Sequence, residues 1–292
     1  MKRKTKFGHY IEAMLLKALP AALRPLPYAW RIRLGGAMVG GLIRLIPPLK
    51  HRITSNLSLI YPDMGKAEKK VFIHRNTRHI GRRFMELYYN KDFHARLKNI
   101  TMPPDALAQI EAAQKAGQPV IMVSGHFGQW EAVRVVLARA GIASAAIYKE
   151  SGNPIFERHF VAAMLDGGPD LFPVGASGTR KMVKHLRGGG IVSVLLDQRV
   201  HDGVALDFLG QPALSSTIMA SLALKTGALM VPAYALVLPD GGTEISIELP
   251  IEHSDPVSMT KAVNDSLSAR VRQNPEQWYW LHNRWARPDL KR

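Results

Sequence analysis

Cysteine is absent from all 292 residues. That excludes disulfide staples, cysteine-ligated zinc, iron–sulfur clusters and a thiol nucleophile. The eleven histidines are scattered, with no H-E-x-x-H pair on a helix, so no metal site is expected. Phosphate-cradling loops are missing as well. There is no P-loop and no G-x-G-x-x-G after a strand, and Gly188-Gly189-Gly190 precedes an apolar run, as a turn does. A G-x-S-x-G elbow is lacking, because Val174-Gly175-Ala176-Ser177-Gly178 has the wrong spacing. No apolar run reaches the roughly 20 residues of a spanning helix. The best stretch, Leu34 to Leu49, is broken by Arg44 and ended by Pro47-Pro48. No small-residue cleavage site follows an uninterrupted apolar segment, so a secretory signal is not expected. Acidic residues are scarce: 23 stand against 39 basic ones, for a formal net charge of +16.

What is present begins with ordinary globular composition, 47% hydrophobic and 21% charged. The positive charge is concentrated. Residues 1–52 hold eleven Lys and Arg against one acid, Glu12. Between those charges lie Leu15, Leu16, Leu19, Leu23, Leu26, Trp30, Leu34, Met38, Val39, Leu42, Ile43, Leu45 and Ile46. Basic side chains interleaved with aliphatic ones suit a helix lying in a lipid headgroup layer. Nucleic-acid surfaces rely more on aromatic stacking, so no nucleic-acid partner is expected. Residues 1–50 are therefore read as basic interfacial helices on an anionic membrane surface. The competing structural reading is an amphipathic layer packed on the main domain.

Residues 51–292 are read as one catalytic domain, with a helical lead-in over 51–118 and an α/β core over 119–292. Periodicity predicts helices over Ala67–Tyr89 and Ala106–Ala116. From Pro119 the texture changes. Short apolar runs at Pro119–Val123, Ala143–Tyr148, Ile191–Leu196 and Leu229–Leu238 alternate with helices at Gln129–Ala140, Thr179–Leu186 and Ser216–Thr226. Thr243–Leu249 alternates like a strand with one face exposed. Strands buried on both faces and separated by helices predict an α/β fold with a mainly parallel central sheet flanked by helices.

In such sheets ligands collect beyond the carboxyl ends of the strands. Two polar motifs fall there. Ser124-Gly125-His126-Phe127-Gly128-Gln129-Trp130-Glu131 follows the first core strand, and Asp197-Gln198-Arg199 follows the strand over Ile191–Leu196. A histidine beside a carboxylate makes a general base, since the carboxylate fixes the tautomer and stabilises the imidazolium. Glu131 and Asp197 are both candidates for that carboxylate. Gly125 and Gly128 would let backbone N–H groups approach a developing oxyanion.

At this point the chain resembles the late (secondary) acyltransferases of lipid A biosynthesis, within the lysophospholipid acyltransferase-like group that carries an H-x4-D/E motif. Here that motif is His126-x4-Glu131. Further likenesses are Arg52-Ile53-Thr54-Ser55-Asn56-Leu57 with Tyr61-Pro62, then Ile147-Tyr148-Lys149 with Asn153-Pro154, then Asp197-Gln198. The last is Pro275-Glu276-Gln277-Trp278-Tyr279-Trp280-Leu281-His282-Asn283-Arg284-Trp285. They span about residues 50–290. The resemblance implies acyl transfer from an acyl carrier protein or coenzyme A thioester, used as a donor substrate, to a lipid hydroxyl, with no cofactor. It implies His126 as base, Glu131 or Asp197 as its partner, and substrate contacts from Gly128, Gln129, Trp130, Lys149, Asn153, Arg158 and Gln198. Lys149, Arg158, Lys181 and Lys184 would steer an acidic carrier protein. The cytoplasmic face of the inner membrane is the implied location, with peripheral or monotopic attachment.

The chain departs from the resemblance at one informative place. A basic residue is expected roughly ten positions after the N-P pair, but Phe160–Leu165 reads FVAAML. Lys149, Arg158 or Arg180 could substitute. The acceptor is therefore a lipid A precursor or, alternatively, a smaller lyso-aminolipid or lysophospholipid. A non-enzymatic basic lipid-binding module and a thioester hydrolase are the readings of other classes.

Overall fold

The computed structural model describes residues 17–97, 100–103, 105–168 and 170–285. The first sixteen positions of the expected interfacial segment lie outside them. Four helices lead: α1 (Tyr28–Leu45), α2 (Pro47–Ile60), α3 (Lys66–Tyr88) and α4 (Asn90–Arg96). Pro47 and Pro48 open α2, where a missing N–H costs nothing, and α1 and α2 meet at an 88° bend. No single described helix is long and apolar enough to cross a membrane, although the bent α1–α2 pair passes that test jointly.

The core follows as β1 (Ile100–Thr101), α5 (Ala108–Lys115), β2 (Val120–Ser124), α6 (Glu131–Arg139), β3 (Ser144–Tyr148), α7 (Pro154–Leu165), β4 (Leu171–Pro173), α8 (Ala176–Arg187) and β5 (Ile191–Leu195). A hairpin comes next, β6 (Val204–Phe208) and β7 (Gln211–Ser215), then α9 (Ile218–Thr226), β8 (Leu229–Val237), β9 (Thr243–Ile247) and α10 (Pro256–Gln273). Seven strands form one sheet in the order β1-β9-β8-β2-β5-β3-β4. The run from β8 to β4 is parallel throughout, and β9 turns antiparallel to β8. This is the expected α/β fold with a mostly parallel central sheet flanked by helices.

Alternation along the buried strands explains why helices cover both faces. On β2, Val120 and Met122 pack with Val133 and Leu137 of α6, while Ile121 and Val123 pack with Met182 of α8, Ala220 of α9 and Met259 of α10. Several elements were not expected. The strands β1 and β4 are two and three residues long, too short for a periodic signal. The hairpin β6–β7 forms its own two-stranded sheet and buries Phe208 and Leu209 against a third apolar cluster.

That third cluster joins the two ends of the described chain. Ile53 and Leu57 of α2 and Phe72 of α3 meet Trp278, Trp280 and Trp285 from a strap that follows α10. Buried Asn56 donates to the carbonyls of Trp280 and His282. Buried Asn76 donates to those of Glu276 and Trp278. Helix α1 lies on α3 at a glycine contact, where a Cβ on Gly81 would collide with the Gly36 carbonyl oxygen. Its opposite face exposes Trp30, Leu34, Met38, Leu42 and Leu45. Both faces of α1 are thus apolar, one packed and one open.

Candidate active site

Adjacent parallel strands build the site. Ser124 at the end of β2 stands in register with Leu195 at the end of β5, so the turns after both strands emerge side by side. His126 occupies the first turn and Asp197 the second. The His126 backbone N–H donates to Asp197 Oδ2 at 2.8 Å, and its ring Nδ1 lies 2.7 Å from Asp197 Oδ1. An ionised carboxylate only accepts, so Nδ1 carries the proton and Nε2 keeps its lone pair. Asp197 is buried, yet His126 and the donor Trp278 Nε1–H, 2.8 Å from Oδ2, outweigh that burial and hold its pKa down to about 2.

The His126 ring faces a cavity of about 560 Å³, within the usual range for ligand pockets. Its walls are largely apolar: Ile80, Phe84 and Leu87 of α3, Met122 of β2, Ala146 of β3 and Phe160, Ala163 and Met164 of α7. Gln198 places its side-chain nitrogen 3.4 Å from His126 Nε2, and a second polar group of Arg83, Glu86, Asn90 and Arg134 also borders the cavity. Trp130 meets the imidazole edge-on at a centroid distance of 5.3 Å, and Tyr279 flanks it at 5.9 Å.

The structure brings only some of the expected residues to this point. Gly128, Trp130, Lys149 and Gln198 line the cavity with His126. Glu131 also borders it, but its carboxylate pairs with buried Arg134 at 2.6 Å, not with His126. Burial raises Glu131 to about 6 despite Arg134. Gln129 also borders the cavity, but it is buried, its amide shared between Glu86 and Thr243. The Asn153 side chain caps α7, accepting from the N–H groups of Ile155 and Phe156. Exposed Arg158 donates to the Pro154 carbonyl. Neither Asn153 nor Arg158 borders the cavity.

One expectation is corrected. The N–H of Phe127 is donated to Gly125 O, and that of Gly128 to Gln277 O at 3.0 Å, so neither is free for an oxyanion. Gly128 instead permits a close approach: its φ is +54°, and a Cβ there would collide with the Ala235 carbonyl oxygen. Among the described residues no group of three or more His, Asp or Glu could hold a metal.

Residues 1–287 match the profile of the bacterial lipid A biosynthesis acyltransferases. The chain belongs to that family. Among its relatives, the lipid A biosynthesis lauroyltransferase of Escherichia coli K12 is 25% identical over 90% of this chain and 88% of its own. A phosphatidylinositol mannoside acyltransferase of Mycobacterium tuberculosis is 24% identical over 61% of this chain, and the match spans 58% of that relative's length. A 1-acyl-sn-glycerophosphate acyltransferase of Thermotoga maritima overlays 93% of this chain and 99% of its own, at 13% identity and a TM-score of 0.41.

Sequence reasoning about this lipid A acyltransferase-family chain passed over the strap's individual residues. Trp278 reaches Asp197, the Tyr279 N–H donates to His126 O at 3.0 Å, and His282 accepts from the Arg199 N–H at 2.8 Å. Burial is the largest influence on His282 and takes it down to about 4. The signal was the aromatic density of W-Y-W, which is also what a core-filling segment looks like.

Proposed function

We propose that the protein transfers a fatty acyl chain from a thioester to a hydroxyl of a lipid acceptor, with His126 as general base. The observation that carries this is the His126–Asp197 pair, with Nε2 unprotonated, beside a largely apolar cavity in a chain of this family. His126 Nε2 takes the hydroxyl proton as the oxygen attacks the thioester carbonyl carbon. Asp197 holds Nδ1–H and compensates the imidazolium. When the tetrahedral species collapses, the C–S bond breaks and the thiolate leaves with the proton from Nε2. The thioester is already activated, so no covalent acyl-enzyme is required. The acyl chain lies along Ile80, Phe84 and Leu87 on one side and Phe160 and Met164 on the other.

The acceptor favoured is a lipid A precursor, in keeping with the family. A smaller lyso-lipid is the second reading, favoured because α7 presents Phe160, Ala163 and Met164 to the cavity and no cation. The donor is an acyl carrier protein or coenzyme A thioester. The exposed stripe on α1 supports peripheral binding to a lipid surface, and exposed Arg33, Lys50 and Arg52 add attraction to anionic headgroups.

The test is product mass spectrometry with acyl-carrier and coenzyme A thioesters against both acceptor classes. His126→Ala is expected to fold and to lose about 10²–10⁴-fold in rate. A His126→Ala protein as fast as wild type refutes the mechanism. Thioester cleavage at equal rates with and without acceptor refutes transfer in favour of hydrolysis.

A further inference from the structure

We propose that Trp278 is a positioning residue of this site: its indole N–H fixes the Asp197 carboxylate, which in turn fixes His126. The inference rests on His126 being the base. Three hydrogen bonds converge on Asp197. Two come from His126 itself, through its backbone N–H and Nδ1. The third, from Trp278, is the one that ties the carboxylate to something other than the group it orients.

Trp278 is well held for that task. It is fully enclosed, with ring centroids 5.0 Å from Trp280, 5.3 Å from Phe208 and 5.7 Å from Trp285. Its carbonyl accepts from Asn76 of α3 at 2.7 Å, and its backbone bridges to Phe127, the neighbour of His126. Asp197 is buried as deeply, so water cannot take over the missing donor. The bond does two things. It adds a restraint on the carboxylate from outside His126, and it draws charge away from Oδ2. Without it, more negative charge faces His126 Nδ1–H, and the pair holds a proton more tightly.

The experiment uses the full-length protein. Trp278→Phe keeps an aromatic ring and deletes the donor. It is expected to lower kcat about 10- to 100-fold, the range that one hydrogen bond to a charged group supplies. KM should stay within about two-fold, since no substrate contact is lost. The acid limb of the kcat/KM profile should move up by roughly half to one pH unit. Trp285→Phe is the control: it removes an indole from the same cage, one whose N–H serves the Phe208 carbonyl. It should lower stability and leave the limb in place. If Trp278→Phe does not fold, benzothienylalanine at position 278 keeps the indole's shape and still lacks the N–H. A folded Trp278 variant with the wild-type limb overturns the proposal. So does an equal shift in the Trp285 control. Full activity in His126→Ala is a different failure, that of the base itself.

Discussion

Asp197 is a buried carboxylate and Glu131 a partly buried one, each beside a partner that can carry positive charge, yet desolvation wins at Glu131 and loses at Asp197. Glu131 has Arg134 alone, and burial lifts it to about 6. Asp197 has three hydrogen bonds from donors and falls from the ordinary aspartate range to about 2. A depressed carboxylate stabilises the fold above its unfolded pKa and loses that contribution as pH falls through the folded one. Asp197 therefore adds about 2 kcal/mol that is present above pH 4 and lost toward pH 2. Denaturant melts of wild type and Asp197→Asn across that window should converge at the acid end. The same variant, unable to hold the Nδ1–H tautomer, should lose about 10³–10⁴-fold in rate. Glu131→Gln should behave in the opposite way. It strands the Arg134 charge in the interior, costing about 3–5 kcal/mol of stability, while turnover per folded molecule stays within a few-fold of wild type. An equal loss of turnover would give Glu131 a role in the chemistry. At this scale His126 was legible from its place after an apolar strand. Its partner was narrowed only to Glu131 or Asp197, because Asp197 arrives from 71 residues away through a strand order that spacing does not encode.

Helix α1 is asymmetric in what its two apolar faces touch. Gly36 and Gly40 let it sit against α3 at backbone contact, whereas Trp30, Leu34, Met38 and Leu42 recur every fourth residue on the open side. Leu42, 58% exposed, can be changed without touching the packed face. Leu42→Glu should leave the melting temperature unchanged and weaken vesicle binding several-fold in a sedimentation assay. Gly81→Val should do the reverse, destabilising the helix pair by overpacking, on the order of 1–3 kcal/mol or more. The long helices and doubly buried strands could be read from sequence because each repeats its pattern several times. Helix α10 is an exception that the sequence reading does not predict, although Met259, Val263, Leu267 and Val271 are buried at four-residue spacing and Asp255 caps its start. The hairpin β6–β7 is different. Its exposed and buried positions mix, and it is placed by Phe208 and Leu209 entering the tryptophan cluster, a contact that exists only in three dimensions.

The whole molecule carries a net charge of +16, so its encounters with anionic surfaces and acidic partners are expected to depend on salt. Exposed charges further apart than about 10 Å are screened at 0.1 M salt. Affinity for anionic vesicles should therefore fall between about 0.05 and 0.5 M salt and settle at a plateau set by the α1 stripe. A fall to zero would mean that the stripe does not enter the bilayer. The strap has a consequence in time. The hydrogen bonds from Asn56 and Asn76 to residues 276–282 span 200 to 226 positions, and contacts so distant along the chain form late. On the ribosome, α1 and its apolar stripe emerge more than two hundred residues before the residue that steadies Asp197. Under the peripheral attachment proposed above, a nascent chain would settle on a lipid surface well before it could perform chemistry there. Attachment and activation become separate events, ordered by the direction of translation.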